Sequence, residues 1–321
     1  MSEFLLNWKD PKILLKNQKT ILLIIIILVS VIVGSINSNF FAINNIITIF
    51  QQISVLGILT MGMALLLISG GIDLSIGMIM ALCGVVISKV IMMGGSVVIA
   101  VPIGILVGVF CGLLNGIIVA KSKSMPLIIT LAMSSVYFGI ALLVSDGEFM
   151  NFQGKFEFIG RTRFLGVFPI TLIFLFATVL IFFILLNYTK YGRRMVAIGG
   201  NEENAYLSGI NIDRYKIITY GISGLFAGIA SIVLVSRLDS IVATAGTGYE
   251  LSALMAAIIG GVTFEGGRGT IGGAFLGVIM TGLIANAMTI LSVSSYLQTA
   301  ITGAIIVFAV VLSNLNKIKD R

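Results

Sequence analysis

Side chains able to do chemistry are sparse in this chain, and their types and spacing form no catalytic set. There is no histidine, and the two cysteines, Cys83 and Cys111, each sit inside an apolar block. A disulfide scaffold and a histidine-based metal site therefore drop out, and no metal ligands are expected. No G-x-x-x-x-G-K-[ST] phosphate loop occurs. Gly266-Gly267-Arg268-Gly269-Thr270 has neither its spacing nor its lysine, so the chain is expected to be no enzyme and to bind no nucleotide cofactor. Asp73, preceded by Gly70-Gly71 and followed by Ser75, stands at a junction of apolar blocks, and no other Asp or Glu lies well inside one. Proton relays and ion-coupled carriers use such groups, so their scarcity counts against that chemistry. The amides Asn115, Asn286 and Gln298 do lie within apolar blocks. They either line a solute path or hydrogen-bond helices together, the second being their commoner use.

The elements that must position these groups follow from composition. Of 321 residues, 58% are hydrophobic and 10% charged, against roughly a quarter charged in an ordinary soluble domain. The apolar residues come in nearly uncharged blocks of about 17 to 25, the length that crosses about 30 Å of hydrocarbon as a helix. Their continuity lacks the two-residue alternation of a membrane barrel. The expected fold is all-α: a polytopic membrane helix bundle forming one transmembrane domain over 1–321. Ten helices are expected at about 20–36, 43–69, 74–93, 96–120, 125–145, 167–187, 214–236, 250–262, 270–291 and 295–313. No A-x-A site follows the first block and further blocks come after it, so residues 1–19 read as a leader before an uncleaved helix.

Charge supports that count. With the amino terminus inside, the inward regions hold 15 of the 20 basic residues, and the outward loops hold Lys155, Arg161, Arg163 and Arg237. This positive-inside bias places both termini in the cytoplasm. Lys89, the one basic residue within a span, lies near its outer end, where it snorkels to the interface or serves transport. The net charge of +7 follows the membrane instead of a soluble face, so lipid and not nucleic acid is the expected partner.

Two loops exceed turn length. The outward one, 146–166, carries mixed charges suited to a wet surface. The inward one, 188–215, contains Gly192-Arg193-Arg194 and then Gly199-Gly200-Asn201-Glu202-Glu203-Asn204-Ala205-Tyr206-Leu207-Ser208-Gly209-Ile210. Asn201 can cap a helix whose amino-terminal dipole favours Glu202 and Glu203, and Gly209 can end it in a left-handed conformation. A helix of about seven residues, roughly 10 Å long, results. It reads as a docking element or a passive interfacial helix.

Glycines at a spacing of four, Gly104, Gly108, Gly112 and Gly116, line one face of the fourth span. Gly224 and Gly228 do so in the seventh, and Gly273 and Gly277, continuing through Thr281 and Ala285, in the ninth. Close packing or sliding surfaces fit this pattern. Two interruptions, Gly70-Gly71-Ile72-Asp73-Leu74-Ser75 and Gly260-Gly261 through Glu265-Gly266-Gly267-Arg268-Gly269, each join glycines to an acid between helices. Discontinuous helices at a binding region are one reading. Glycine ends followed by an Asp73 or Ser75 cap are the plainer one.

Taken together, Gly70-Gly71-Ile72-Asp73-Leu74-Ser75, Gly112-Leu113-Leu114-Asn115-Gly116, the loop from Gly199 to Ile210, Thr244-Ala245-Gly246-Thr247-Gly248-Tyr249-Glu250 and Gly266-Gly267-Arg268-Gly269 resemble the ribose-type permease family of bacterial ABC importers, in the family's order. The resemblance covers about 20–315. It implies a permease subunit of the bacterial inner membrane that passes a sugar-like solute inward by alternating access. It also implies two ATPase subunits carrying ATP and Mg, an extracytoplasmic sugar-binding protein, and a second permease, identical or a paralogue. The loop 188–215 would then be the coupling loop, with Arg193, Arg194, Asn201, Glu202, Glu203, Ala205, Leu207, Gly209 and Ile210 at the ATPase. Gly70, Gly71, Asp73, Ser75, Gly266, Gly267 and Arg268 are the gating candidates. A stand-alone sugar carrier or facilitator is the alternative.

Overall fold

The computed structural model describes residues 18–319 apart from 153, 165 and 167, with the backbone alone at 161 and over 309–319. Of the expected leader, residues 1–17 lie outside the described residues.

Each of the ten expected blocks coincides with a helix. These are α1 (Gln18–Ile36), α2 (Ile43–Ile68), α3 (Ile76–Met92), α4 (Val97–Ser122), α5 (Pro126–Ser145), α6 (Thr171–Tyr188), α9 (Ile212–Leu238), α10 (Tyr249–Ile259), α11 (Ile271–Ile290) and α12 (Ser295–Lys319). Between α6 and α9 stand two more, α7 (Lys190–Gly200) and α8 (Glu202–Leu207). Seven of these, α1, α2, α4, α5, α6, α9 and α11, are long and apolar enough to cross a membrane. At 1.5 Å per residue α3 is about 26 Å long and α10 only about 16 Å.

Helix α2 is buried over nearly its whole length and forms the axis of the bundle, with α6, α9, α10 and α11 packed around it. Hydrophobic burial cannot drive this assembly in lipid, so backbone proximity and van der Waals contact must. The glycine stripes supply that proximity. Along α4 a Cβ at Gly108 would strike the carbonyl of Gly224, and one at Gly112 the carbonyl of Tyr220, both on α9. On α11, Gly273 and Gly277 press in the same way on Gly260 and Ala256. That stripe continues to buried Thr281 and stops, because Ala285 is exposed. Helix α1 packs on α11 and turns Leu23, Ile27, Leu28, Val31 and Ile32 outward, as a lipid-facing helix must.

The segment 146–166 is more ordered than a wet loop. Phe152 and Phe156 are buried, Met150–Asn151 pairs antiparallel with Ser240–Ile241, and Arg163–Phe164 pairs with Phe168–Pro169. The Ser236 hydroxyl donates to Phe156 O and accepts from Gly160 N–H, tying this segment to the end of α9. At the same end of the bundle Lys89 meets Asp146 at 3.0 Å.

Candidate functional site

The first polar arrangement lies where α2 stops and α3 begins. Helix α2 closes on Gly70 (φ 79°), with Gly71 N–H donating to Leu66 O. Residues 72–75 are not helical, and their backbone groups need partners at membrane depth. Neighbouring helices provide them: Tyr220 OH donates to Ile72 O at 2.8 Å, and Thr130 Oγ1 accepts from Leu74 N–H at 3.1 Å. Ser75 precedes α3 without capping it through its side chain. Instead Asp73 Oδ1 accepts from the Ser75 N–H at 2.8 Å and the Ser75 hydroxyl at 2.6 Å.

Asn115 completes the arrangement from α4. Its amide donates to Ser75 Oγ at 2.8 Å and lies 3.4 to 3.5 Å from the Asp73 carboxylate, while its oxygen accepts from Tyr137 OH at 2.8 Å. Asp73, Ser75 and Asn115 are fully buried. This network joins α3, α4 and α5 and fixes the break between α2 and α3. In this structure the side chains of the network are bonded to one another. Tyr137, Tyr220 and Thr130 escaped sequence reasoning, although a phenol inside an apolar block must find a partner.

The other two amides are elsewhere. Asn286 and Asn45 exchange hydrogen bonds at 2.9 and 3.0 Å, joining α11 to α2. Gln298 donates to Val293 O at 2.9 Å, at the start of its own helix. Asn115 and Asn286 each hydrogen-bond between elements here, and the three amides do not share one site. Glu250, present in the Thr244–Glu250 motif but given no role from sequence, opens α10 beside Gly77, the second residue of α3.

The second arrangement is the 188–215 segment. Thr189 caps α7 by accepting from Gly192 N–H, and Asn201 caps α8 by accepting from Asn204 N–H at 2.8 Å. Gly209 turns the chain out of α8 at φ 78°. Met195, Ile198 and Ala205 form a small core of their own with Tyr191, Ile210 and Tyr215 packed on it. Ala205 and Ile210 therefore hold α8 down, while Arg193, Arg194, Glu202 and Glu203 are exposed. Tyr206 and Leu207 are 69% and 76% exposed, two large apolar side chains held at a surface. Arg194 donates to Tyr215 OH and lies over its ring. Burial pushes the Tyr191 phenol up to about 12, so it stays neutral beside Thr219 Oγ1 at 2.7 Å. Glu202 pairs with Lys216 of α9. Between α8 and the α4–α5 turn opens a cleft of about 1140 Å³, lined by Gly70, Lys123, Pro126, Tyr206, Leu207 and Lys216 among others.

The two helix interruptions and this segment meet at one place. Gly267 N–H donates to Ile68 O at 2.9 Å. A Cβ on Gly199 would collide with that same carbonyl, and one on Gly266 would sit 2.7 Å from Gly199 O and 3.0 Å from Gly70 Cα. Gly70, Gly199, Gly200, Gly266 and Gly267 thus form a junction of three backbones: the end of α2, the end of α7 and the α10–α11 connection. Gly71 and exposed Arg268 flank it.

Comparison with known proteins agrees with this architecture. Residues 45–310 match the family described as branched-chain amino acid transport system / permease component. The ribose import permease protein RbsC of Bacillus subtilis is 38% identical over 285 residues, covering 88% of each chain. RbsC of Escherichia coli K12 is 36% identical over 305 residues, 94% of each, and the D-allose transport system permease protein AlsC of the same strain is 36% identical over 91% of this chain and 90% of its own. No solved structure matches. A chain that aligns almost end to end with these permeases, and whose helices are built to lie in a bilayer, belongs to the ribose-type permease family of ABC importers.

Proposed function

We propose that this chain is the permease through which a sugar or sugar-like solute crosses the bacterial inner membrane, driven by ATP hydrolysis on a separate subunit. Full-length similarity to ribose and allose permeases supports the solute class. The observation that carries the coupling is α8: a six-residue helix, capped by Asn201, that presents Tyr206 and Leu207 to solvent and is joined through Gly199 to both helix interruptions. So short a helix has too little packing of its own to persist unsupported, and exposed apolar residues on a held surface suit a protein partner.

In this reading all ten apolar helices lie in the bilayer, with α3 and α10 as shorter pieces and both termini cytoplasmic. Two ATPases carrying ATP and Mg seat α8 of each of two permeases, and an extracytoplasmic binding protein delivers the solute. ATP binding and hydrolysis bias the pair between inward-facing and outward-facing states, since a solute that bound both equally could shift neither.

Co-purification in mild detergent followed by mass spectrometry tests the assembly: one ATPase per permease is expected. A permease recovered alone and still filling vesicles with sugar would establish a stand-alone carrier instead. Within the assembly, Glu203→Arg together with Leu207→Arg is expected to leave the permease folded and membrane-inserted while uncoupling hydrolysis from uptake; unchanged uptake removes α8 from the interface.

A further inference from the structure

The stretch 237–252, from the last turn of α9 through the connection to the first turn of α10, differs from every other inter-helix region among the described residues in the ionisable groups it leaves unpaired. Helix α9 ends at Leu238, Ser240–Ile241 pairs with Met150–Asn151, and the chain then descends through a 3-10 turn at Ala243–Gly246 to begin α10. Its depth follows from its neighbour. Gly246 and Gly77 abut so closely that neither could carry a Cβ without striking the other's carbonyl. Gly77 lies twelve positions before Lys89, which pairs with Asp146 at the bundle's end, so Gly246 sits about 18 Å below that surface. That is well inside a hydrocarbon layer about 30 Å thick.

At this depth the segment is both irregular and polar. Residues 247 and 248 belong to no helix, Thr244 and Thr247 are exposed, and Glu250 and Ser252 are partly so. Lipid cannot solvate such a surface; non-helical backbone is tolerated at that level only against protein or a water-filled cavity.

The ionisable groups are placed in a repeated way. Asp239 Oδ2 accepts from Gly154 N–H at 2.6 Å, and its Oδ1, though buried, accepts nothing within the chain. Glu250 Oε1 accepts from Gly248 N–H at 3.1 Å, and its buried Oε2 accepts nothing within the chain. Arg237 NH1, near Tyr249, is buried and unpaired as well. Among the described residues these three are the only ionisable side chains with a buried unpaired atom, and all fall within fourteen positions. Each carboxylate is anchored by one oxygen and leaves the other buried and unpaired. Deep burial of a charge without a partner is costly, and in a membrane protein it marks a pathway more often than packing.

We propose that this stretch is the solute-contacting surface of the translocation path, with Glu250 accepting hydrogen bonds from hydroxyls of a polyhydroxylated solute and Arg237 donating to its oxygens. The inference rests on the sugar-importer reading and adds the residues to it. Carboxylate oxygens accept only, and a guanidinium donates only, so together they read the hydroxyls and ring oxygen that distinguish one sugar from another. Gly77 has no side chain because a Cβ there would fall 2.5 Å from Glu250 Oε2.

The test uses the complete importer, permease with ATPase and binding protein, in liposomes, with uptake of labelled D-ribose, D-allose and L-arabinose measured beside ATP hydrolysis. Glu250→Gln keeps the oxygen that accepts from Gly248 and removes the charge. It is expected to lower uptake of the parent's preferred sugar at least tenfold and to change the order of preference, with binding-protein-stimulated hydrolysis within twofold of the parent. Uptake and order both unchanged overturn the inference. Loss of hydrolysis along with uptake in an assembled complex also overturns it, because Glu250 then serves packing or binding-protein docking. Should Glu250→Gln not assemble, Asp239→Asn carries the same comparison, since Asn suits the left-handed backbone there (φ 49°) and still accepts from Gly154. A parent complex that moves none of these sugars with ATP overturns the importer reading itself, a result distinct from a parent that works and a variant that works equally.

Discussion

Two carboxylates stand at helix interruptions inside this bundle, and their surroundings are opposite. Around Asp73 the side chains answer one another: Ser75 donates twice, Asn115 is close and bonds Tyr137, and Thr130 and Tyr220 meet the Leu74 N–H and the Ile72 carbonyl. Around Glu250 one oxygen is answered and one is not, and its neighbours Thr247 and Leu251 face outward. A closed network in a low-dielectric interior rigidifies and specifies, whereas an open one asks for something from outside the chain. The same residue type at a similar interruption therefore serves structure in one place and recognition in the other.

The comparison can be broken most forcefully at Gly77, which begins α3 just past the Asp73 network and touches the Glu250 connection. Gly77→Ala would place a methyl against the Gly246 carbonyl and the Glu250 carboxylate. Overpacking of this kind costs about 1–3 kcal/mol, and loss of uptake together with a lower melting temperature in detergent is expected. An unchanged melting temperature would mean that the two regions are not in fact pressed together. Next in size, Asn115→Leu removes the amide that links Ser75 to Tyr137. A buried donor or acceptor left without its partner costs about 1–3 kcal/mol, so thermal stability should fall, with sugar preference among surviving complexes unaltered. A changed preference would move the network into the path. The smallest effect is expected from Asp73→Asn, which retains an acceptor for both Ser75 donors. Uptake within twofold of the parent and a stability change below about 1 kcal/mol would complete the contrast with Glu250→Gln.

Much of this architecture was legible because bilayer thickness imposes it on sequence. The ten apolar blocks fall on ten helices, and Gly108 and Gly112 announce the α4–α9 contact by their spacing alone. The Asn201 cap and the Gly209 exit were equally plain, since capping chemistry is local. Helix α7 was not expected in a stretch containing Gly192, Gly199 and Gly200; its signal was Tyr191, Met195 and Ile198 at helical spacing. The order in 146–166 was invisible because buried Phe152 and Phe156 are tied through their backbones to the distant end of α9, Phe152 N–H to Asp239 O and Phe156 O to Ser236. Glu250 was given no role for a related reason. It stands at the edge of an apolar block, where an acid reads as surface, and only the contact between Gly246 and Gly77 reveals its depth.

The junction of Gly70, Gly199, Gly200, Gly266 and Gly267 has a mechanical consequence. Side chains absorb a push by changing rotamer, so contacts made through them lose motion at every step. Main chain against main chain has no such slack, and here one carbonyl, Ile68 O, is both the hydrogen-bond acceptor of Gly267 and the wall against which Gly199 rests. A displacement of α7 would therefore press directly on both the foot of the central helix and the connection leading into α11. Such a joint behaves as a rigid pivot with two output arms, and a single methyl group inserted at Gly199 is enough to jam it.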